Sequence, residues 1–170
     1  MKNYMNRWVL IGSKAIVVLI WLGCLWGQAI AVPVLSEVMA GFYVSQAPLR
    51  WPYLVLGELF LACVEIAFIG VWRLLSLSGS GAVFTAKALP NVNLIIGCAA
   101  VGIVLTAIAS GAFAISGCRD ATMQGMDYFS VAAMLGVTIM TEIGFILLMT
   151  VMKGLLRAAT DQSDELEQVI

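Results

Sequence analysis

The chain is 170 residues long, 62% hydrophobic and only 11% charged, with a mean hydropathy of +1.01. Soluble domains average about 25% charged residues, so there is too little polar side chain here to cover a core in water. An ordinary cytoplasmic globule, a disordered segment and a nucleic-acid module are excluded, and the apolar excess must face lipid. Nine basic and ten acidic residues give a net charge of −1, with no histidine. That absence removes the usual proton shuttle, the Ser-His-Asp and Cys-His nucleophiles, and imidazole-ligated zinc or haem.

Four apolar runs follow in chain order, at about 15–35, 52–75, 92–116 and 129–152. Each is long enough to cross a hydrocarbon core of about 30 Å at about 1.5 Å per residue. None alternates as a barrel strand must, so all four are predicted to be helices. The fold class is therefore an all-α polytopic membrane protein, a four-transmembrane-helix bundle in one integral membrane domain, with a tail at 153–170. Lys2, Arg7, Lys14, Arg73, Lys87, Lys153 and Arg157 fall on one side of the bilayer, and Arg50 and Arg119 on the other. The positive-inside rule then predicts both termini to be cytoplasmic. Trp8, Trp51, Tyr53, Trp72 and Tyr128 lie near predicted interfaces, whereas Trp21 and Trp26 are expected within the bundle or against acyl chains.

The first run also imitates a secretory signal, with a basic start and an Ala29-Ile30-Ala31 site. Its apolar stretch continues through Val34, and the charge pattern works with the span retained, so retention is the reading adopted.

Two patterns point to helix packing. Gly23, Gly27 and Ala31 lie four apart in the first run, and Cys98, Gly102, Thr106, Ser110, Ala114 and Cys118 four apart in the third. Small residues at this spacing let helix backbones approach in lipid. Each step of four drifts about 40° around the helix, so only three or four of these neighbours share a face. The spacing suits tight packing inside one protomer, and it also suits a homodimer seam through the first span.

Glu58 and Glu65 in the second run and Glu142 in the fourth are the most informative residues. A charge at the centre of a span costs several kcal/mol even on lenient insertion scales, so all three are expected to point into the bundle. Both spans run in the same direction, which puts Glu65 and Glu142 at similar depth. Gln28, Thr106, Ser110 and Thr138 are the candidate hydrogen-bond partners. One reading makes the carboxyls hydrogen-bonding glue between helices, and the other a proton or cation site.

No catalytic, cofactor-binding or metal constellation emerges. Cys24, Cys63, Cys98 and Cys118 stand singly, without a C-x-x-C pair, so zinc, an iron–sulfur cluster or a disulfide is not expected. A di-metal carboxylate centre lacks its histidines. Gly79-Ser80-Gly81 lacks the Gly-Lys-Ser/Thr ending of a phosphate loop. The tail begins basic (Lys153, Arg157) and ends acidic (Asp161, Asp164, Glu165, Glu167), which suits a helix leaving an anionic leaflet. Its apolar Leu166, Val169 and Ile170 suit docking on a loop or a partner, and a solvated, frayed end fits equally well.

The loop from Leu74 to Thr85, with Gly81 and Phe84-Thr85, and the ending Leu155–Thr160 with Asp164–Ile170 resemble a family of bacterial membrane proteins, the domain of unknown function numbered twenty-nine seventy-five. The resemblance implies a four-span bacterial inner-membrane protein of about this size, with a Gly-x-x-Phe-Ser/Thr element between the middle spans. The basic residue usual soon after that element is replaced here by Pro90-Asn91-Val92-Asn93. Some relatives are encoded beside a small helix-turn-helix regulator, which implies a membrane partner or a regulatory role. The expectation is a non-enzymatic accessory, regulatory or self-assembling subunit, solvated by the lipid bilayer, in a homo-oligomer or larger membrane complex and without nucleic acid. The alternative is a small proton- or cation-linked transporter using the intramembrane glutamates.

Overall fold

A computed structural model describes residues 7–79, 88–118, 120, 123 and 125–168, with the backbone alone for residues 7, 161 and 163–168. Every element among these residues is helical, as the non-alternating apolar runs require. The chain contains four helices long and apolar enough to cross a membrane. It is a four-span, all-α membrane protein.

The first span is one 35-residue helical stretch, Trp8–Phe42. Helix α1 (Arg7–Trp26) passes through a wide π turn (Gly27–Ala31) into α2 (Val32–Phe42). Pro33 explains the widening. It has no N–H to donate and its ring would press on the carbonyl four residues back. The turn opens instead, so that the Val32 N–H reaches the Gly27 carbonyl five residues back. A 3₁₀ turn at Val44–Leu49, holding Pro48, leads into α3 (Arg50–Gly79). Helix α4 (Leu89–Gly117) carries Pro90 in its first turn, where a missing donor costs nothing. Helix α5 (Gly125–Gln168) is 44 residues long.

The spans stand as an open row. Helix α1 packs on α3, α3 on α4 and α4 on α5. Among the described residues no Cα of α1 comes within 8 Å of α4 or α5, and none of α3 within 8 Å of α5. Helix α4 is therefore the spine. Its buried residues are Val92, Ile95, Gly102, Thr106, Phe113 and Gly117. Steps of three, four and seven hold this stripe on one face, which steps of four alone do not.

Glycine sets the closest approaches, and mostly on α3. A Cβ on Gly70 would lie 3.0 Å from Ile95 Cγ1 and 3.2 Å from the Asn91 carbonyl oxygen. One on Gly57 would lie 2.9 Å from Val32 Cγ1. Of the glycines expected at contacts, Gly27 and Gly102 do face neighbouring side chains, Leu61 for the first and Phe60 and Glu142 for the second. Gly23 makes no such approach within the chain: nothing lies within 4 Å of its Cβ position. A four-residue step already rotates about 40°, and the π turn that begins at Gly27 disturbs the register further.

Candidate functional site

The three glutamates are divided between interfaces. Glu65 turns toward the first span, where the Gln28 carboxamide, assigned the orientation that satisfies both of its neighbours, donates its nitrogen to Glu65 Oε1 at 3.3 Å and accepts from the Ala62 N–H at 3.3 Å. Gln28 stands in the π turn, so the widened turn carries the side chain that meets this carboxyl. Glu142 lies on the other side of α3, at the α4–α5 contact. Thr106 Oγ1 donates to Glu142 Oε1 at 3.0 Å, while Glu142 Oε2 is shielded from solvent and has no partner. Glu58 is half-buried and makes no hydrogen bond or ion pair among the described residues. The structure does not bring Glu65 and Glu142 together. Both point inward, but a row of helices has several interiors.

The other expected partners serve their own helices. Thr138 donates to the Met134 carbonyl at 3.0 Å and Ser110 to the Thr106 carbonyl at 2.7 Å. A hydroxyl on a helix in lipid satisfies itself this way unless a stronger acceptor is nearer. Gly81, Phe84 and Thr85 lie outside the described residues.

Because α3 and α5 flank α4 with no Cα pair within 8 Å among the described residues, a cleft runs between them. Its largest section encloses about 450 Å³. Phe60, Phe68, Ile95 and Phe145 form apolar walls, and Glu142 and Thr138 are among its few polar contributors. A smaller section on Phe60, Thr106 and Thr138 continues it toward Tyr53.

Tyr53 belongs to a polar cluster that the sequence did not reveal. Gln46, in the 3₁₀ turn, is completely buried. It donates to Ser116 Oγ at 2.9 Å and accepts from the Tyr53 hydroxyl at 2.9 Å. Next to it the Ser45 N–H donates to Asp120 at 3.1 Å, and the Tyr43 hydroxyl to Asp127 at 3.1 Å. Arg50 pairs with Glu37. These bonds fasten the loop after the first span to the one after α4, closing the end of the molecule opposite both termini. Partial loss of water, then donation to Asp127, holds the Tyr43 phenol above its ordinary range. The signal for Gln46 was a neutral amide in a short loop, with no periodicity to give it a facing direction.

The sequence matches the family described as "Protein of unknown function (DUF2975)" over residues 34–170. The chain belongs to this family. The match covers Glu58, Glu65, Glu142, the Gln46 cluster and the cleft, and begins just after the π turn that carries Gln28. No curated protein and no solved structure matches the chain.

Proposed function

We propose that this DUF2975 member is a non-enzymatic, accessory or regulatory subunit of the bacterial plasma membrane, with both termini in the cytoplasm, that works by association with another membrane protein or with copies of itself. The observation that carries the reading is α5. It runs unbroken from Gly125 to Gln168, about 66 Å at about 1.5 Å per residue, roughly twice the hydrocarbon thickness. Among the described residues α4 is the one other helix whose Cα atoms come within 8 Å of α5, and from Gly125 to Ala159 α5 buries no residue. Such a helix offers one face to a neighbour within the bilayer. It also carries the acidic sequence Asp161–Glu167 beyond Lys153 and Arg157, into water, on a stiff arm.

The test is crosslinking in native membranes, comparing the full chain with one ending at Thr160. A stoichiometric adduct that disappears with residues 161–170 supports the reading. A chain that stays monomeric and gives no adduct in either form overturns it.

The second reading is a proton- or cation-linked transporter using Glu58, Glu65 and Glu142. A relay through all three finds less support, because Glu65 and Glu142 meet different neighbours on different sides of α3. Glu142 alone, at the cleft, keeps the reading in play. Flux into liposomes that is lost in Glu142→Gln but kept in Glu65→Gln favours it.

A further inference from the structure

We infer that the cleft between α3 and α5 is a binding site for a compact lipophilic ammonium compound, its cation held at Glu142 and its hydrocarbon body against the apolar walls. The inference is independent of the association reading and assigns this chain a ligand rather than a protein partner.

The space comes first. The section at Glu142 encloses about 450 Å³, within the range of about 300–1,000 Å³ typical of small-molecule sites and too small for a helix. Small residues create it: Cys63, Ala67, Cys98, Ala99 and Gly102 line it where α3 and α4 face α5. The gap stays open because no Cα of α5 comes within 8 Å of α3 among the described residues.

The chemistry of the lining selects the occupant. Among the lining residues no lysine or arginine faces Glu142. One carboxyl oxygen accepts from Thr106, and the other accepts from nothing. The two further hydroxyls beside it, Thr138 and Thr141, are both spent on backbone carbonyls of α5. The site therefore has acceptor capacity and no donor to meet it, in surroundings where an unpaired polar atom is costly. An N–H-bearing cation answers both the missing donor and the missing charge, and such bonds are the stronger kind. Phe60, Phe68 and Phe145 add ring surface that favours a cation over a neutral alcohol of the same shape. The remaining walls are hydrocarbon, so the body of the ligand must be apolar. The helices that line the cleft are long and apolar enough to cross a membrane, and a bilayer is where a lipophilic amine partitions.

The probe is tritiated 1-adamantylammonium, with 1-adamantanol as its neutral isostere. Both are applied by equilibrium dialysis to the full chain in phosphatidylcholine nanodiscs, with empty nanodiscs as the partition blank. Saturable binding of one ammonium per chain is expected, without effective competition by the alcohol. Glu142→Gln keeps an oxygen for Thr106 but removes the charge, and is expected to weaken binding by about tenfold or more. Ala99→Phe, which fills the cleft and keeps Glu142, is expected to abolish it. The wild-type comparison of ammonium with alcohol needs no variant to fold. Equal competition by 1-adamantanol, binding no greater than to empty nanodiscs, or wild-type affinity in a folded Glu142→Gln protein would each overturn the inference.

Discussion

Thr106 on α4 donates a 3.0 Å hydrogen bond to Glu142 on α5. One turn earlier, Gly102 keeps that part of α4 free of any side chain that would push the carboxyl away. This bond is a polar element of a largely apolar α4–α5 contact. Thr106→Val removes the donor at nearly constant shape and leaves both carboxyl oxygens unpaired. A loss of about 1 kcal/mol is expected, in line with interhelical hydrogen bonds in membranes. Thr106→Val combined with Glu142→Leu is expected to recover most of it, because neither partner is then stranded. Unfolding of the four proteins of this cycle in detergent measures the coupling, and strict additivity of the single losses would refute it.

Gln46 holds the end of the molecule opposite the termini. With the side chain completely buried and bonded to both Ser116 and Tyr53, Gln46→Ala removes two bonds and leaves a cavity. The expected cost is about 2–3 kcal/mol. Ser116→Ala is expected to cost less, since its hydroxyl is also bonded to the Ala112 carbonyl of its own helix. Thermal unfolding ranks the two. Limited proteolysis near 43–50 is expected to rise in Gln46→Ala alone.

The glycines separate close approach from mere smallness. At Gly70 a methyl group would press on Ile95 and on the Asn91 carbonyl oxygen at 3.2 Å, which belongs to backbone and cannot swing aside. Gly70→Ala is expected to destabilise by about 1–3 kcal/mol. Gly136 sits on α5 with nothing within 4 Å of its Cβ position. There, Gly136→Ala is expected to be neutral, or stabilising by up to about 1 kcal/mol through helix propensity. A pair of melting curves decides, and equal shifts would mean that the α3–α4 approach is not tight.

Much of this arrangement is legible in sequence, and what is not has a common cause. Hydropathy over about 20 residues marks a span regardless of its neighbours. The rule that a buried carboxyl needs a donor was enough to nominate Gln28 and Thr106. Sequence does not say which interior a residue faces. Glu65 and Glu142 look equivalent until the row of helices sends one to α1 and the other to the α4–α5 contact. The same ambiguity hid Gly57 and Gly70, which stand in no small-xxx-small series of their own. Gln46 was invisible because a loop has no period, and its burial depends on a helix some seventy residues away.

The distal loops carry a pH dependence of definite sign. Tyr43 has a folded-state value raised above its ordinary 10.0, so its phenol form favours the folded protein. That contribution is fully present below the unfolded value and lost as pH rises through the higher folded one. Thermal stability of the wild type is thus expected to fall beyond pH about 10 by more than that of Tyr43→Phe, which has no proton to lose there. The difference between the two curves over the alkaline range is the quantity to measure. A Tyr43→Phe curve that falls in parallel with the wild type would assign the alkaline loss to other groups.

Pro33 positions Gln28 at a distance of five residues. The π turn exists because Pro33 cannot complete an ordinary helical turn, and Gln28 sits inside it. With Pro33→Ala the missing donor is restored, and the turn is expected to close to regular α-helix. Removing one residue's worth of winding rotates the preceding helix by about 100° relative to α2, which carries Gln28 away from Glu65 and Gly27 away from Leu61. At present the Cβ position of Gly27 lies 3.3 Å from Leu61 Cδ1. A Gly27→Cys, Leu61→Cys pair, in a chain whose four native cysteines are replaced by alanine, is therefore expected to crosslink readily with Pro33 present and poorly with Pro33→Ala. Equal crosslinking in both would mean that the π turn is imposed by packing on α3 rather than by the proline.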